Sequence, residues 1–364
     1  MGDKQTFLAD KPYGFVPLTE VVQKARSAPH NTYEKSIYSG KLRVSFVTKS
    51  KLHIGDGRTD VNRNGDLLKK MTRRNGQLVI PGSSVKGVVR SIAEAVSYSC
   101  GIKLPNPRLT EMKKALPKKN QDSCQTVDSL CPTCSLFGMT SGSSGYRSKV
   151  NFGEFICKEN PAHLIEVEIP LQETPFKDYP RNHDVFRNAF GFGNERLYYC
   201  RACDGRESGA CETCQKADYY EAIRGSGANR PMRFRGRKFY RIHAKGYEAS
   251  DGIPVKKALY EMAEEGSTFT GEIVFQGLTA KELSLLVFSL GLDETFFLAF
   301  GYGKPLGYGC VSSRLETVED MMSRYSSTSV MTAETIEEMT EKYCKEADKD
   351  ICLLIDELRR IRGE

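Results

Sequence analysis

The placement of the cysteines constrains this chain more than any other feature. Twelve occur in 364 residues, and eight of them fall between 101 and 267: Cys124, Cys131, Cys134, Cys157, Cys200, Cys203, Cys211 and Cys214. The N-terminus, MGDKQTFLADKPYG, has no apolar signal region, so a cytoplasmic location is expected. There thiols stay reduced, and cysteine clusters read as metal ligands rather than disulfides. Cys200-x2-Cys203-x7-Cys211-x2-Cys214 forms two knuckles that can place four thiolates tetrahedrally around one zinc at about 2.3 Å. Four cysteine ligands leave no open position for water. A structural zinc is therefore expected, folding an insertion too small to have its own core. Cys124-x6-Cys131-x2-Cys134 is a second, incomplete set. Cys100, Cys157 and His163 are candidates for its fourth ligand, with Cys100 preferred. Cys310, Cys344 and Cys352 fall on strand or helix faces and read as core.

Hydrophobic residues make up 39% of the chain, enough for a core, and no run approaches the ~18 apolar residues of a membrane helix. Residues 1–40 are polar, carry Pro12, Pro17 and Pro29, and read as an extended arm. KLRVSFV (41–47) alternates as a half-buried strand. Residues 53–76, rich in Gly, Asn and Asp, read as a long loop, and QLVI (77–80) as a short strand ending at Pro81-Gly82. Ser83 and Ser84 are placed to cap a helix whose apolar stripe is Val85, Val88, Val89, Ile92 and Val96. Regular periodicity resumes with the strand TFTGEIVFQG (268–277). Thr279 then caps a buried helix, and the glycine-rich turn Phe300–Gly309 leads into a strand at 310–317. The stripe Ile336, Met339, Tyr343, Ala347, Ile351, Leu354, Leu358 and Ile361 predicts one long helix over 333–361, capped by Thr332. The order of elements suits an α+β chain with a split ferredoxin-like core. That core takes 41–99 and 268–318, with an N-terminal arm at 1–40, insertions at 100–267 and a C-terminal helical extension at 319–364.

The net charge is +7, which suits a polyanionic partner without proving one. Residues 223–247 carry Arg224, Arg230, Arg233, Arg235, Arg237, Lys238, Arg241 and Lys245 with no acid, interleaved with Phe234, Phe239 and Tyr240. Guanidinium groups fork onto phosphates, and aromatic faces stack unpaired bases. The competing reading is a solvated strand with its aromatics in the core. Two further basic runs, 103–119 and Lys69, Lys70, Arg73 and Arg74, resemble ordinary surface loops. GYGKPLGYG (301–309) lacks the Walker pattern and precedes a strand, so its glycines are expected to let backbone N–H groups approach phosphate, with Lys304 adding charge.

IPGSSVKGVVRS (80–91), CPTCSLFG (131–138) and FGYGKPLGYGCV (300–311) occur in that order. With them the sequence resembles the RAMP superfamily of CRISPR-associated proteins, in particular the backbone subunits of type III effector complexes. PYGFVPL (12–18) and RFRGRKFYRIH (233–243) are similar to a type III-D-like branch. The resemblance implies a RNA-recognition-motif core (the RAMP fold) with zinc-stabilised insertions. It also implies subunits that stack along a guide RNA, with Ser83, Ser84, Lys86, Arg90, Tyr302 and Lys304 as guide contacts beside the basic Arg233, Arg235 and Arg237. Expected partners are the CRISPR guide RNA, target RNA, further copies of the chain and other effector subunits. In related type VII systems these include a separate nuclease.

Backbone subunits of this kind often cut target RNA with one Asp before the IPGSS motif. Asp56, Asp60 and Asp66 lie there, and Asp66 matches that spacing best. It would hold a divalent metal such as magnesium, or position the 2′-hydroxyl. The bland alternative is an Asn-Gly-Asp turn residue. The five histidines are scattered, with no catalytic pairing evident. Three functions therefore stand side by side: a non-catalytic guide-binding subunit, a metal-dependent endoribonuclease, and a zinc-stabilised scaffold that contacts only proteins.

Overall fold

The computed structural model describes residues 13–27, 30, 37–100, 123–141, 144–158, 164–170, 198–200, 232–234, 236–242, 257–324 and 331–363. The chain runs β1 (Tyr13–Val16), β2 (Ile37–Thr48), β3 (Gly55–Val61), β4 (Leu67–Met71), β5 (Arg73–Arg74), β6 (Gln77–Ile80) and α1 (Gly82–Ala95). It continues through α2 (Pro132–Phe137), β7 (Met139–Ser141), β8 (Ser144–Tyr146), β9 (Val150–Phe152), β10 (Phe155–Cys157) and β11 (Leu164–Pro170). Next come β12 (Tyr198–Cys200), β13 (Met232–Phe234), β14 (Arg237–Tyr240) and β15 (Lys257–Ala263). The last third holds β16 (Thr268–Thr279), α3 (Ala280–Ser289), β17 (Leu298–Ala299), β18 (Cys310–Asp320), α4 (Ala333–Lys345) and α5 (Lys349–Arg362).

The central antiparallel sheet has the order β17-β18-β2-β16-β10-β6-β5, and β9 also pairs with β16. Taking β2, α1, β9–β10, β16, α3 and β18 in sequence gives the strand order of a ferredoxin-like unit, fourth-first-third-second. The sheet thus draws its second strand from residues 150–157, inside the 100–267 stretch. Alternation sorts β2: Leu42, Val44 and Phe46 are fully buried while Arg43 stays outside and Lys41 and Val47 are half-buried. Phe46 stacks on Phe155 at 4.5 Å and meets Phe300 at 5.2 Å, which joins β2, β10 and the start of the glycine-rich turn in one core. A helix apolar all round must be covered on both sides. Residues Leu283–Ser289 of α3 are buried, and Phe288 meets Tyr343 of α4 at 5.1 Å. Thr279 caps α3 in a full capping box with Glu282.

Four readings need correction. First, Ser83 and Ser84 do not cap α1: it starts at Gly82 after Pro81, with no side-chain cap, and both serines sit in its first turn. The start is fixed instead by close approach, because a Cβ at Gly82 would strike the Phe152 carbonyl. Second, the loop at 53–76 contains the β3–β4 hairpin, and β4 joins β15 in parallel within a second sheet, β11-β15-β4-β3. Third, the arm holds β1, paired antiparallel with β14 from Tyr13↔Tyr240 to Val16↔Arg237. Fourth, the long C-terminal helix is two helices. Asp348 Oδ1 caps α5 by accepting from Ile351 N and also accepts from the Tyr98 hydroxyl at 2.8 Å. That tie to the end of α1 turns the chain where the apolar stripe continues unbroken.

Candidate nucleic-acid interface and metal centre

Helix α1 links two sites. At its C-terminal end lie Cys100, Cys124, Cys131 and Cys134, each at most 5% exposed, with their Sγ atoms all within 4.8 Å of one another. Cys100 and Cys134 Sγ stand 3.6 Å apart. That is far from the ~2.05 Å of a disulfide and near the ~3.8 Å between two sulfurs sharing a tetrahedral zinc with bonds of about 2.3 Å. Cys131 N–H donates to Cys124 Sγ at 3.2 Å, so backbone dipoles favour thiolate. The thiols also pull one another's titration apart. Hydrogen bonding from Cys100, Cys124 and Cys134 pushes Cys131 down, while Cys100 is pushed up, foremost by Cys124. Four thiolates cannot coexist there without a cation between them. The set fits a structural metal such as zinc.

The fourth thiol of the set is thus Cys100. Cys157 lies instead in the main core on β10, and His163 is outside the described residues. Of the other predicted zinc set, Cys200 ends β12, while Cys203, Cys211 and Cys214 are outside the described residues.

Beside the metal set runs an ion-pair chain. Arg90 Nε donates to Glu94 at 2.9 Å, and Arg237 Nη1 donates to the other Glu94 oxygen at 2.7 Å. The centre braces both arginines: Arg237 Nη2 donates to the Cys100 carbonyl at 3.1 Å, and Arg90 Nη1 to the Gly138 carbonyl at 3.2 Å.

At the N-terminal end of α1 opens a cleft of about 610 Å³. Its lining includes Ser83, Ser84, Arg237, Lys238, Lys304 and Arg362, with Val88, Ile92, Phe239, Tyr240 and Phe300 as apolar wall, and no carboxylate. The first turn of α1 likewise has no acidic residue, so its unbonded N–H groups leave the dipole's positive end open. Burial, and next the charge of Arg362, pull the Lys304 ammonium's pKa down. Burial holds Arg362 down to about 10. This arrangement can receive an anion with apolar parts attached.

The structure therefore gathers Ser83, Ser84, Arg237 and Lys304 around one cleft. Lys86 and Arg90 project from another face of α1 and do not line it; Arg90 is committed to Glu94. Tyr302 stacks on Tyr260 at 4.9 Å and 12° and is also outside the lining. The glycine-rich loop contributes differently from expectation. The N–H groups of Tyr302, Leu306, Gly307, Tyr308 and Gly309 bond within the protein, so the loop offers Lys304 rather than a row of donors. Gly301, at φ +69°, lies where a Cβ would strike the His53 carbonyl. Arg233 lies on β13, and Arg235 and the 103–119 run are outside the described residues. Asp66 sits in the exposed turn of the β3–β4 hairpin, where its N–H donates to Asn62 Oδ1 at 2.8 Å and its side chain accepts from Asn62 Nδ2 at 3.4 Å. Among the described residues, the four cysteines are the one cluster of three or more His, Cys, Asp or Glu close enough to share a metal. Sequence reasoning missed Arg362, because nothing marks the last turn of a helix as neighbour to a loop sixty residues away.

A ferredoxin-like sheet with a carboxylate-free basic cleft at a helix start makes an α+β protein with a surface suited to an anionic ligand. The model of the RAMP superfamily matches residues 45–312, and the chain belongs to that superfamily. It is thereby a CRISPR-associated protein of a family that binds or processes RNA and works in multi-subunit complexes. No curated protein matches the sequence. No helix of the described residues is long and apolar enough to cross a membrane.

Proposed function

We propose that the chain is a guide-RNA-binding backbone subunit of a type III-D-like or type VII-like CRISPR effector complex, multimerising along the guide and presenting it for pairing with target RNA. The observation that carries this reading is the cleft. It puts Ser83, Ser84, Lys304 and Arg237 around one carboxylate-free space at the open start of α1. A helix start and the Lys304 ammonium attract phosphate whatever the base, and sequence is then read by pairing rather than by the protein. The metal centre holds the cleft's shape through Arg237 and has no open position for chemistry if four cysteines fill it.

The test is binding of single-stranded oligoribonucleotides of unrelated sequence across a salt series. Affinities should agree within a few-fold between sequences and fall steeply and linearly with log salt. Strong dependence on sequence, or no binding at low ionic strength, would reject the reading. The zinc-scaffold alternative predicts that last outcome.

A further inference from the structure

We propose that Arg362, in the last turn of α5, and Lys304, in the glycine-rich loop, form a phosphate subsite within the cleft, so that the C-terminal helices are part of the RNA interface. This rests on reading the cleft as an RNA interface and assigns a part of it to a segment outside the matched residues 45–312.

Arg362 is 3% exposed, yet its hydrogen bonds reach only neutral groups: Nε and Nη2 donate to the Phe297 carbonyl at 2.9 and 2.6 Å, and Nη1 to the Tyr240 carbonyl at 2.9 Å. A guanidinium has more N–H groups than these three bonds use, so part of its fork has no acceptor among the described residues. A buried charge held only by carbonyls is unfavourable without a counter-charge. The Lys304 ammonium, on the same cleft, has no hydrogen-bond or ion-pair partner among the described residues. Arg237, a half-buried cation of the lining, is neutralised by Glu94, yet its Nε finds no acceptor among the described residues. The start of α1 adds positive potential and no residue of the lining subtracts from it. The missing negative charge must come from the occupant. The cleft is much larger than a lone inorganic ion needs, and Val88, Ile92, Phe239 and Phe300 line the rest. A phosphodiester with its sugar and base satisfies both halves.

The carbonyl bonds also explain why this charge is held so firmly. Arg362 ties β14, at Tyr240, to the segment before β17, at Phe297, so it keeps two walls of the cleft in register. The side chain of Ile361 packs where a Cβ on Gly14 of β1 would sit, seating α5 against the β1–β14 ribbon.

Full-length wild type, Arg362→Gln and Lys304→Glu are titrated with a single-stranded oligoribonucleotide over a salt series, and their thermal midpoints are measured without RNA. Arg362→Gln, when folded, should bind several-fold more weakly, with the log–log salt slope reduced by about one. Lys304→Glu places a carboxylate beside Arg362. It should raise the thermal midpoint while lowering RNA affinity more than tenfold, and it needs no loss of Arg362 to be informative. A lowered midpoint in Lys304→Glu, or wild-type affinity and slope in either variant, overturns the subsite while leaving the RNA reading intact. Failure of the wild type itself to bind removes that reading and the subsite with it.

Discussion

The two ends of α1 treat charge in opposite ways. At the C-terminal end Arg90 and Arg237 share Glu94, and both lean on carbonyls of the metal-site segment. At the N-terminal end Lys304 and Arg362 share a cleft with no acid at all. Each end holds one arginine that is largely out of water, Arg237 at the first and Arg362 at the second, so desolvation alone does not separate them. Pairing does: where the chain supplies both charges, the cluster holds structure together, and where it supplies only one sign, the cluster awaits a ligand. The same contrast recurs across the molecule. Glu261 accepts from Lys70, from both Nη atoms of Arg73 and from Met71 N–H, which turns a basic run of the sequence into an internal clasp.

Removing the metal breaks the paired end most severely. The four cysteines pack with Leu130 and a few partly buried neighbours in a cluster separate from the main core, so little else holds them. Metal binding to such sites is worth on the order of 10 kcal/mol in small zinc peptides. Chelation, or Cys131→Ser, should therefore release 123–146 to hydrogen exchange while β2, β16 and β18 stay protected. RNA affinity should fall less, as Arg237 and Arg90 lose their braces. Unchanged exchange after metal removal would detach the centre from the fold.

Glu261→Gln is the next largest effect. It leaves Arg73 and Lys70 unpaired in a half-buried place and should cost about 3 kcal/mol by denaturant titration. Burial pushes the Glu261 carboxyl up, but Arg73, the Met71 N–H and Lys70 outweigh it and hold it at about 2, against an ordinary 4.5. A carboxyl depressed by folding stabilises fully above its unfolded value, and that stability drains away as pH falls from about 4.5 through about 2. The variant should lack this part of the acid transition. RNA binding should be unaltered, since neither Arg73 nor Lys70 lines the cleft.

Glu94→Gln sharpens the comparison by making one end of α1 like the other. Gln still accepts hydrogen bonds but no longer neutralises Arg237. Stability should drop by about 1–3 kcal/mol, and the salt slope of RNA binding should steepen by up to about one. A slope equal to the wild type's would mean that Arg237 never faces the ligand as a charge.

How much of this was legible follows from range. β2, β6, α1, β16 and α3 are written in local alternation, in a 3.6-residue stripe and in the Thr279–Glu282 box. The four-cysteine set was legible as Cys124, Cys131 and Cys134, with Cys100 preferred. The β3–β4 hairpin was not: every residue of β3 is exposed, so it shows no alternation, and its pairing comes through β4 and β15, nearly 200 residues away. The break before α5 was hidden in the same way, because Tyr98, which holds Asp348, is 250 residues from it. Basic residues were easy to find and hard to sort, since pairing with Glu94 or Glu261 is a property of the fold and not of the run of arginines.

Asp66 has the smallest expected effect and separates binding from cutting. Its carboxylate accepts from Asn62 at a long 3.4 Å in an exposed turn, and among the described residues Asp66 belongs to no group of three or more His, Cys, Asp or Glu close enough to share a metal. Asp66→Ala should cost about 0.5 kcal/mol or less, because the turn keeps its backbone bonds, Asn62 N–H to the Asp66 carbonyl at 2.9 Å and Gly65 N–H to the Asn62 carbonyl at 3.1 Å. RNA affinity should be unaltered, since Asp66 does not line the cleft. The decisive readout is target RNA incubated with the assembled complex and magnesium. Cleavage that survives Asp66→Ala with Asp60 and Asp56 also replaced, or that is absent from wild type and variant alike, agrees with a subunit that only holds RNA. Cleavage abolished by this one exposed side chain, with affinity and stability intact, would instead make the hairpin turn a catalytic site and the cleft merely its anchor.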